Sequence, residues 1–567
     1  MTVRLEGIPA SPGLALGRAS LWREPVPQPG TRSGAAGETE SARLAAAVES
    51  SRAQLRELAA RLAGTGAESE ARIFQVQQLL LDDPLFIGAV RSAIEREGLS
   101  AEQAVVRVSG EIIGQFRGLK DAAMRERAAD VEDVARRLCV NLTGEAFNPA
   151  SGVVVARMLT PSEVSLLAAR GAGAVVTEEG GPASHMAILA RALHLPAVVG
   201  ARGVLGAVRE GDMIAVDGAG GEVIVRPDAA AIAAWRARMT RSHGLRARLS
   251  EMRGLPAVTQ DGFRVELAAN IGGPGEVDAA LEAGAEAIGV FRTEYLYVNR
   301  AELPSEQEQY EAYREVLARM APRRVIIRTM DLGGDKPAAG WDVAPEANPA
   351  LGLRGIRFAL AREALFRTQL GALVRASTAG NLAVMLPMIS SLEELRRARA
   401  LLEDVREQIG VLTRFSFGVM VETPAAALLA PELAREADFL SVGTNDLTQY
   451  VLAADRTNPA LAEFYDPLHP AVLRLLGMVS EAARQGGKWA GVCGEMGGDP
   501  LAAPLLIGLG MAELSMVPAA IAAVKHVIRA IRKSEAEALA REALGLAGAR
   551  EVRELLTGFA RERTLSG

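Results

Sequence analysis

From residue 262 onward the sequence repeats one unit: a short apolar run, then polar or charged residues, then a helical stretch. The apolar runs are Val265–Asn270, Ala287–Phe291, Val325–Arg328, Leu382–Pro387, Phe417–Val421, Phe439–Val442, Ala490–Cys493 and Met511–Met516. Continuous apolar strands alternating with helices belong to parallel sheets buried on both faces. Eight such units in roughly 260 residues match a closed (β/α)8 barrel. A barrel of this kind works at the C-terminal ends of its strands, where the sequence places Arg292-Thr-Glu294, Arg328-Thr-Met-Asp331, Glu422-Thr-Pro424, Gly443-Thr-Asn-Asp446 and Cys493-Gly-Glu495.

The chain ahead of the barrel changes period twice. Gly7–Leu21 reads as turn and strand, and 22–35 as a Pro- and Gly-rich connection. From about 38 to 145 apolar residues recur at helical spacing, as in Leu55, Leu58, Ala59 and Leu62, which predicts a helical bundle. Asp83-Pro84 should end the helix that contains Ile73–Leu81. Between 152 and 226, five short apolar strands with two helices predict a small α/β domain, and 228–253 predicts a helical linker. The fold class is thus multidomain α/β: a split α/β domain with an inserted helical bundle, then a barrel.

Composition closes off several functions. The 63 Lys+Arg against 69 Asp+Glu leave a net charge of −6, and aromatics are 4%, which argues against a nucleic-acid binder. Two cysteines, Cys139 and Cys493, exclude a disulfide scaffold. No signal peptide is evident, and no run reaches the ~18 apolar residues of a membrane span, so the expected location is cytoplasmic. No Walker loop is present.

Three groups of residues carry chemistry. In Gly180-Gly-Pro-Ala-Ser-His185, Ser184 suits a helix N-cap and His185 the first turn, where free N–H groups favour a phosphate. An imidazole with a pKa near ~6.5 is either a nucleophile or a capping residue there. His194, His243 and His526 fall in helical text and His469 precedes a proline, which reads as structural. Glu422 and Asp446 end consecutive strands and suit either Mg²⁺ or neutralisation by arginines. Arg292, Arg328, Arg354, Arg357 and Arg456 are candidates to converge on the same mouth and grip phosphate or carboxylate with two N–H groups. Cys493, at a strand end, is either a buried hydrophobe or an acid.

Taken together, Glu6–Gly13, Gly180–His185, Phe291-Arg-Thr-Glu-Tyr295, Arg328–Lys336, Val421–Pro424, Gly443–Gln449, Asp455-Arg456 and Cys493–Glu495 resemble the phosphoenolpyruvate-protein phosphotransferases, the Enzyme I family of the bacterial sugar phosphotransferase system. The resemblance implies that phosphoenolpyruvate and Mg²⁺ bind in the barrel, with Glu422 and Asp446 as metal ligands. It implies that Arg292, Arg328, Asn445, Asp446 and Arg456 bind the substrate, that His185 becomes a phosphohistidine, and that Cys493 protonates the enolate to give pyruvate. The phosphoryl group would then pass to a histidine of the carrier HPr. By the same likeness, 1–22 and 149–227 form a swivelling phosphohistidine domain, 23–148 the carrier-binding insert, 228–261 a linker helix, and 262–567 the substrate-binding barrel, through which a homodimer forms.

Two departures stand out. Pro182-Ala183 precede Ser184-His185 where the family has Arg-Thr, and Gln75 and Gln77 stand where acidic residues and histidine are common. Two other readings compete. One is a pyruvate phosphate dikinase-like enzyme, which needs an ATP-binding domain for which the chain has no room. The other is a non-catalytic phosphoenolpyruvate sensor, which has no need of Cys493 or the metal ligands.

Overall fold

A computed structural model describes residues 2–22, 37–63, 68–117, 122–144, 152–181, 184–297, 302–334 and 346–563. Pro182-Ala183 and Lys336 lie outside these residues. The chain divides into two units, Met1–His243 and Gly244–Gly567, and the helix Ala229–Glu251 spans the division.

The first unit is built on a mixed sheet of eight strands: β1 (Val3–Glu6), β2 (Ile8–Ser11), β3 (Leu14–Leu21), β4 (Val153–Ala156), β5 (Ala174–Thr177), β6 (Ala197–Val199), β7 (Met213–Asp217) and β8 (Glu222–Val225). The strand order is β1-β8-β7-β3-β4-β5-β6-β2. The central strands β4, β5 and β6 are parallel and entirely buried, which is why they read as unbroken apolar runs. Between β3 and β4 the chain forms helices Gly37–Ala63, Glu68–Asp82, Ala89–Glu97, Ala101–Arg117 and Ala122–Thr143. Asp83 accepts a hydrogen bond from the Leu85 N–H, and a single π-type turn at Pro84–Gly88 follows. Leu44, Phe74, Ile94 and Val134 of these helices share one apolar core with Val154 and Val175 of the sheet and Leu189 of the helix His185–Ala192. Val153, Val155, Val176, Val216 and Val225 form a second core on the other face. Trp235 caps this unit: it packs on Ala215 and Ile224 and donates to the Ala15 carbonyl at 3.1 Å.

The second unit is a closed parallel barrel of β9 (Glu266–Ile271), β10 (Ala287–Arg292), β11 (Val325–Arg328), β12 (Leu382–Leu386), β13 (Ser416–Val421), β14 (Phe439–Val442), β15 (Trp489–Val492) and β16 (Glu513–Met516). The β16–β9 pairing, Leu514 beside Leu267, completes the ring. Val290, Ile326, Met385, Met420 and Phe439 fill its interior, and Trp489 stacks on Phe439 with ring centroids 4.7 Å apart. The larger core lies between strands and helices, with Tyr313, Phe358, Phe366 and Leu473 fully buried there. The last strand starts at Glu513 and not at Met511. Glu513 is buried at the N-terminal end of the barrel, where Arg324 pairs with both Glu513 and Glu266 and stacks over the Trp489 ring.

Two histidines refine the sequence reading. His194 is not helical: it sits in the turn after the helix His185–Ala192, with φ +52. His469 is the N-cap of the helix Pro470–Gln485, and its Nδ1 accepts from the Ala471 N–H.

Candidate active site

Side chains alternate along a strand, so the residue two after an inward one also points inward. Val290, Ile326 and Met420 face the barrel interior. Arg292, Arg328 and Glu422 follow them by two and rise from the same inner face at its C-terminal rim. There they line a cavity of about 280 Å³ together with Glu294, Asn445, Asp446, Arg456 and Cys493. The seven barrel residues singled out in the sequence thus meet around one space. Arg357 does not reach it: its guanidinium lies by the Leu351 carbonyl, Ser390 and Glu394.

The cavity is built on buried ion pairs. Arg328 is 6% exposed and pairs with Glu294, with Asp331 at 3.4 Å and the Met420 sulfur at 3.6 Å. Arg354, 1% exposed, spans two carboxylates. It donates to both oxygens of Asp331 at 3.1 Å and to Asp446 at 3.4 and 3.1 Å. Burial alone would lower the pKa of each guanidinium, but the surrounding carboxylates outweigh it and raise both. Glu422 is the carboxylate with the least compensation. Burial first, then Asp446 and Asp331, push its pKa up to about 8, against Arg328 and Arg354. The Met388 N–H donates to it at 2.6 Å. Gly443 leaves room for this carboxylate, since a Cβ there would stand 2.9 Å from Glu422 Oε2.

Asn445 and Glu495 clasp two loops. Asn445 Nδ2 donates to Glu495 Oε1 at 3.2 Å, and the Glu495 N–H returns to Asn445 Oδ1 at 2.9 Å. The Tyr465 hydroxyl donates to the Asn445 carbonyl at 3.0 Å. Arg456 approaches Asp446 to 3.7 Å. The Cys493 thiol is 5% exposed and lies 3.5 Å from the Val442 carbonyl. Burial, with Glu422 adding to it, pushes the thiol up to about 12, so the proton stays on sulfur at neutral pH.

In the first unit, Ser184 caps the helix His185–Ala192: its Oγ accepts from the Ala187 N–H and donates to the Gly181 carbonyl. His185 stands at the first helical position and is half-buried, its Nδ1 3.7 Å from Asp130 of the helix Ala122–Thr143. Gln77, fully buried, donates to Asp133 at 3.0 Å and lies 3.5 Å from Asp130. Asp133 also accepts from the Ser162 N–H at 3.1 Å.

Comparison with known proteins decides what this pair of sites belongs to. Residues 246–533 match the family described as PEP-utilising enzyme, PEP-binding domain, 148–221 the PEP-utilising mobile domain, and 6–127 the PEP-utilising N-terminal domain. The phosphoenolpyruvate-protein phosphotransferase of Geobacillus stearothermophilus is 41% identical over 558 residues, covering 97% of this chain and 96% of that protein. That of Listeria innocua serovar 6a is 41% identical over 572 residues, covering 99% and 100%. The chain belongs to the phosphoenolpyruvate-protein phosphotransferase family. Members of this family use a divalent metal, and the donor set here fits one. Glu422 and Asp446 offer hard oxygen ligands at one wall of the cavity. A divalent cation held by two carboxylates keeps further positions for substrate oxygens and water.

The sequence reading missed the supporting contacts. Asp331 follows β11 and Arg354 is among the candidate arginines, but the bridge from Arg354 to Asp446 spans 92 positions. Asp130, Asp133 and Gln77 lie on helices with no local signal that ties them to His185.

Proposed function

We propose that the chain transfers the phosphoryl group of phosphoenolpyruvate to its own His185 and then to a histidine of the carrier HPr, releasing pyruvate as the first step of the sugar phosphotransferase system. The observation that carries this reading is one mouth that brings Glu422 and Asp446 together with three arginines and a protonated thiol. Glu422 and Asp446 would hold Mg²⁺, which supplies positive charge against the phosphate oxygens. Arg292, Arg328 and Arg456 grip the substrate's phosphate and carboxylate, and Asn445 and Asp446 complete its seat. Asp130, on the Nδ1 side of the imidazole, favours a proton there and leaves the Nε2 lone pair for attack. The Nε2–P bond forms as the P–O bond breaks, and the enolate carbon takes the proton from Cys493 Sγ. The thiolate regains its proton from water.

His185 must serve both the cavity and the carrier, so the phosphohistidine domain of 1–22 and 149–227 would swivel about the 228–261 linker. The helices of 23–148 would receive HPr. Leu79 and Leu85, exposed large apolar side chains there, suit a docking face. We assign homodimer formation to the barrel unit. No helix among the described residues is long and apolar enough to cross a membrane, and we place the protein in the cytoplasm.

The test incubates the protein with Mg²⁺ and phosphoenolpyruvate and no carrier. Phosphate is mapped by mass spectrometry at neutral pH, and pyruvate is counted per subunit. One phosphate on His185 with about one pyruvate is expected, and none with Glu422→Ala or Asp446→Ala. Binding of phosphoenolpyruvate without either product would refute the reading and favour a sensor.

A further inference from the structure

At the N-terminal end of the barrel, opposite the catalytic mouth, a cleft of about 370 Å³ gathers Arg253, Arg264, Arg323 and Lys525 around a single carboxylate, Glu286. This end of such barrels ordinarily serves stability. Glu286 is already committed: it accepts from Arg264 at 2.8 Å and from the Ala257 N–H at 3.3 Å. Arg253 and Arg323 have no carboxylate partner among the described residues, so four cations share the one carboxylate of this cleft.

Lys525 is the stronger sign. It is one of five lysines in the chain and is 1% exposed. Its ammonium donates to the Arg253 carbonyl at 2.9 Å and the Gly284 carbonyl at 3.3 Å, and to no carboxylate. An ammonium has three N–H groups, so one is left over. Burial pulls its pKa below the ordinary lysine value, with Glu286 opposing and Arg529 adding to the fall. The cradle depends on Gly284, at φ +81, where a Cβ would collide with the Arg253 carbonyl. The backbone is thus shaped to hold a buried cation in a cleft that Arg253 and Arg323 also line.

We propose that this cleft binds a compact polyanion of the phosphate class, a diphosphate or phosphate ester. A guanidinium fork matches two phosphate oxygens, which suits Arg253 and Arg323, and Lys525 adds a point charge to the same cleft. Arg253 stands two residues past the helix Ala229–Glu251. An anion held here therefore fastens the segment that follows that helix to the base of the barrel.

The experiment titrates the full chain with inorganic pyrophosphate, without Mg²⁺ and in 0.15 M KCl to suppress non-specific attraction. Calorimetry reads the affinity. The catalytic mouth also attracts phosphates, so two double variants separate the ends. Arg253→Ala with Arg323→Ala should weaken binding at least tenfold and leave phosphorylation by phosphoenolpyruvate unchanged. Arg292→Ala with Arg328→Ala should retain the cleft's binding. Lys525→Met, checked for a native circular dichroism spectrum, should weaken it as well. No binding to the wild type, unchanged affinity in the Arg253/Arg323 variant, or loss confined to the Arg292/Arg328 variant would each overturn the proposal.

Discussion

Replacing Arg354 by Met is the sharpest perturbation of the cavity, because methionine keeps the length of the side chain and removes the charge. Arg354 makes four hydrogen bonds of 3.1 to 3.4 Å to Asp331 and Asp446, and it is 1% exposed. Its loss leaves Asp331 with Arg328 at 3.4 Å and Asp446 with Arg456 at 3.7 Å as their remaining cations, beside a buried Glu422. Removing one partner of a buried pair costs about 3–5 kcal/mol, more than the net worth of the pair, because the stranded charge stays desolvated. The assay is native-state hydrogen exchange, which reads each strand separately. The opening free energy of β11 and β14 should fall by about that amount, while β4 and β5 of the first unit keep theirs. Changing Asp331 to Asn in the same chain removes one stranded carboxylate and should recover at least about 1 kcal/mol, as expected for residues in one network. A fall below about 1 kcal/mol, or strictly additive effects, would refute the view that Arg354 holds the carboxylates together.

Three further outcomes are expected. Arg328→Lys cannot keep the forked contacts to Glu294 and Asp331, and a charged hydrogen bond is worth about 1.5–3 kcal/mol, so kcat/KM should fall by at least about tenfold. Cys493→Ser should slow pyruvate formation by roughly 10²–10⁴-fold with little change in phosphoenolpyruvate affinity. Equal losses in both would make the cysteine a packing residue. Glu513 sets a pH dependence: burial, helped by Glu266 and opposed by Arg324, pushes its pKa up to about 7. A carboxylate raised in the fold contributes stability that is complete below its unfolded pKa and is lost as pH rises through the folded one. Barrel stability should therefore fall between about pH 4.5 and 7 by up to about 3 kcal/mol, and Glu513→Gln should flatten that fall in thermal unfolding.

The barrel was legible because each strand is buried on both faces and therefore apolar from end to end, with its charged residues gathered at the rim. Arg292, Arg328, Glu422 and Cys493 mark strand ends in the sequence itself. Strand starts were less clear. Met511-Ala512 extend the apolar run of β16 backwards, while the strand begins on a buried Glu513 whose partner, Arg324, is 189 positions away. The same physics hid the supports of the site. A carboxylate clamped by Arg354 has no local periodicity, and Gln77 becomes a neighbour of Asp130 only when two helices pack. His194 was misread because a short apolar stretch continues the helical period past the turn that ends it.

The closure of β9 on β16 also orders events during synthesis. The two strands are separated by some 240 residues, so at about 5–20 residues per second the ribosome needs roughly 12–50 s to supply the closing strand after the opening one. Through that interval the strands of the His185 sheet are already made, whereas no donor cavity exists. A chain cut short between β9 and β16 would keep every strand around His185 and have nothing to load it. On the function proposed above, such a fragment would exchange phosphoryl groups with the carrier and take none from phosphoenolpyruvate, so proteolysis within the barrel would remove the entry of phosphate while leaving the relay.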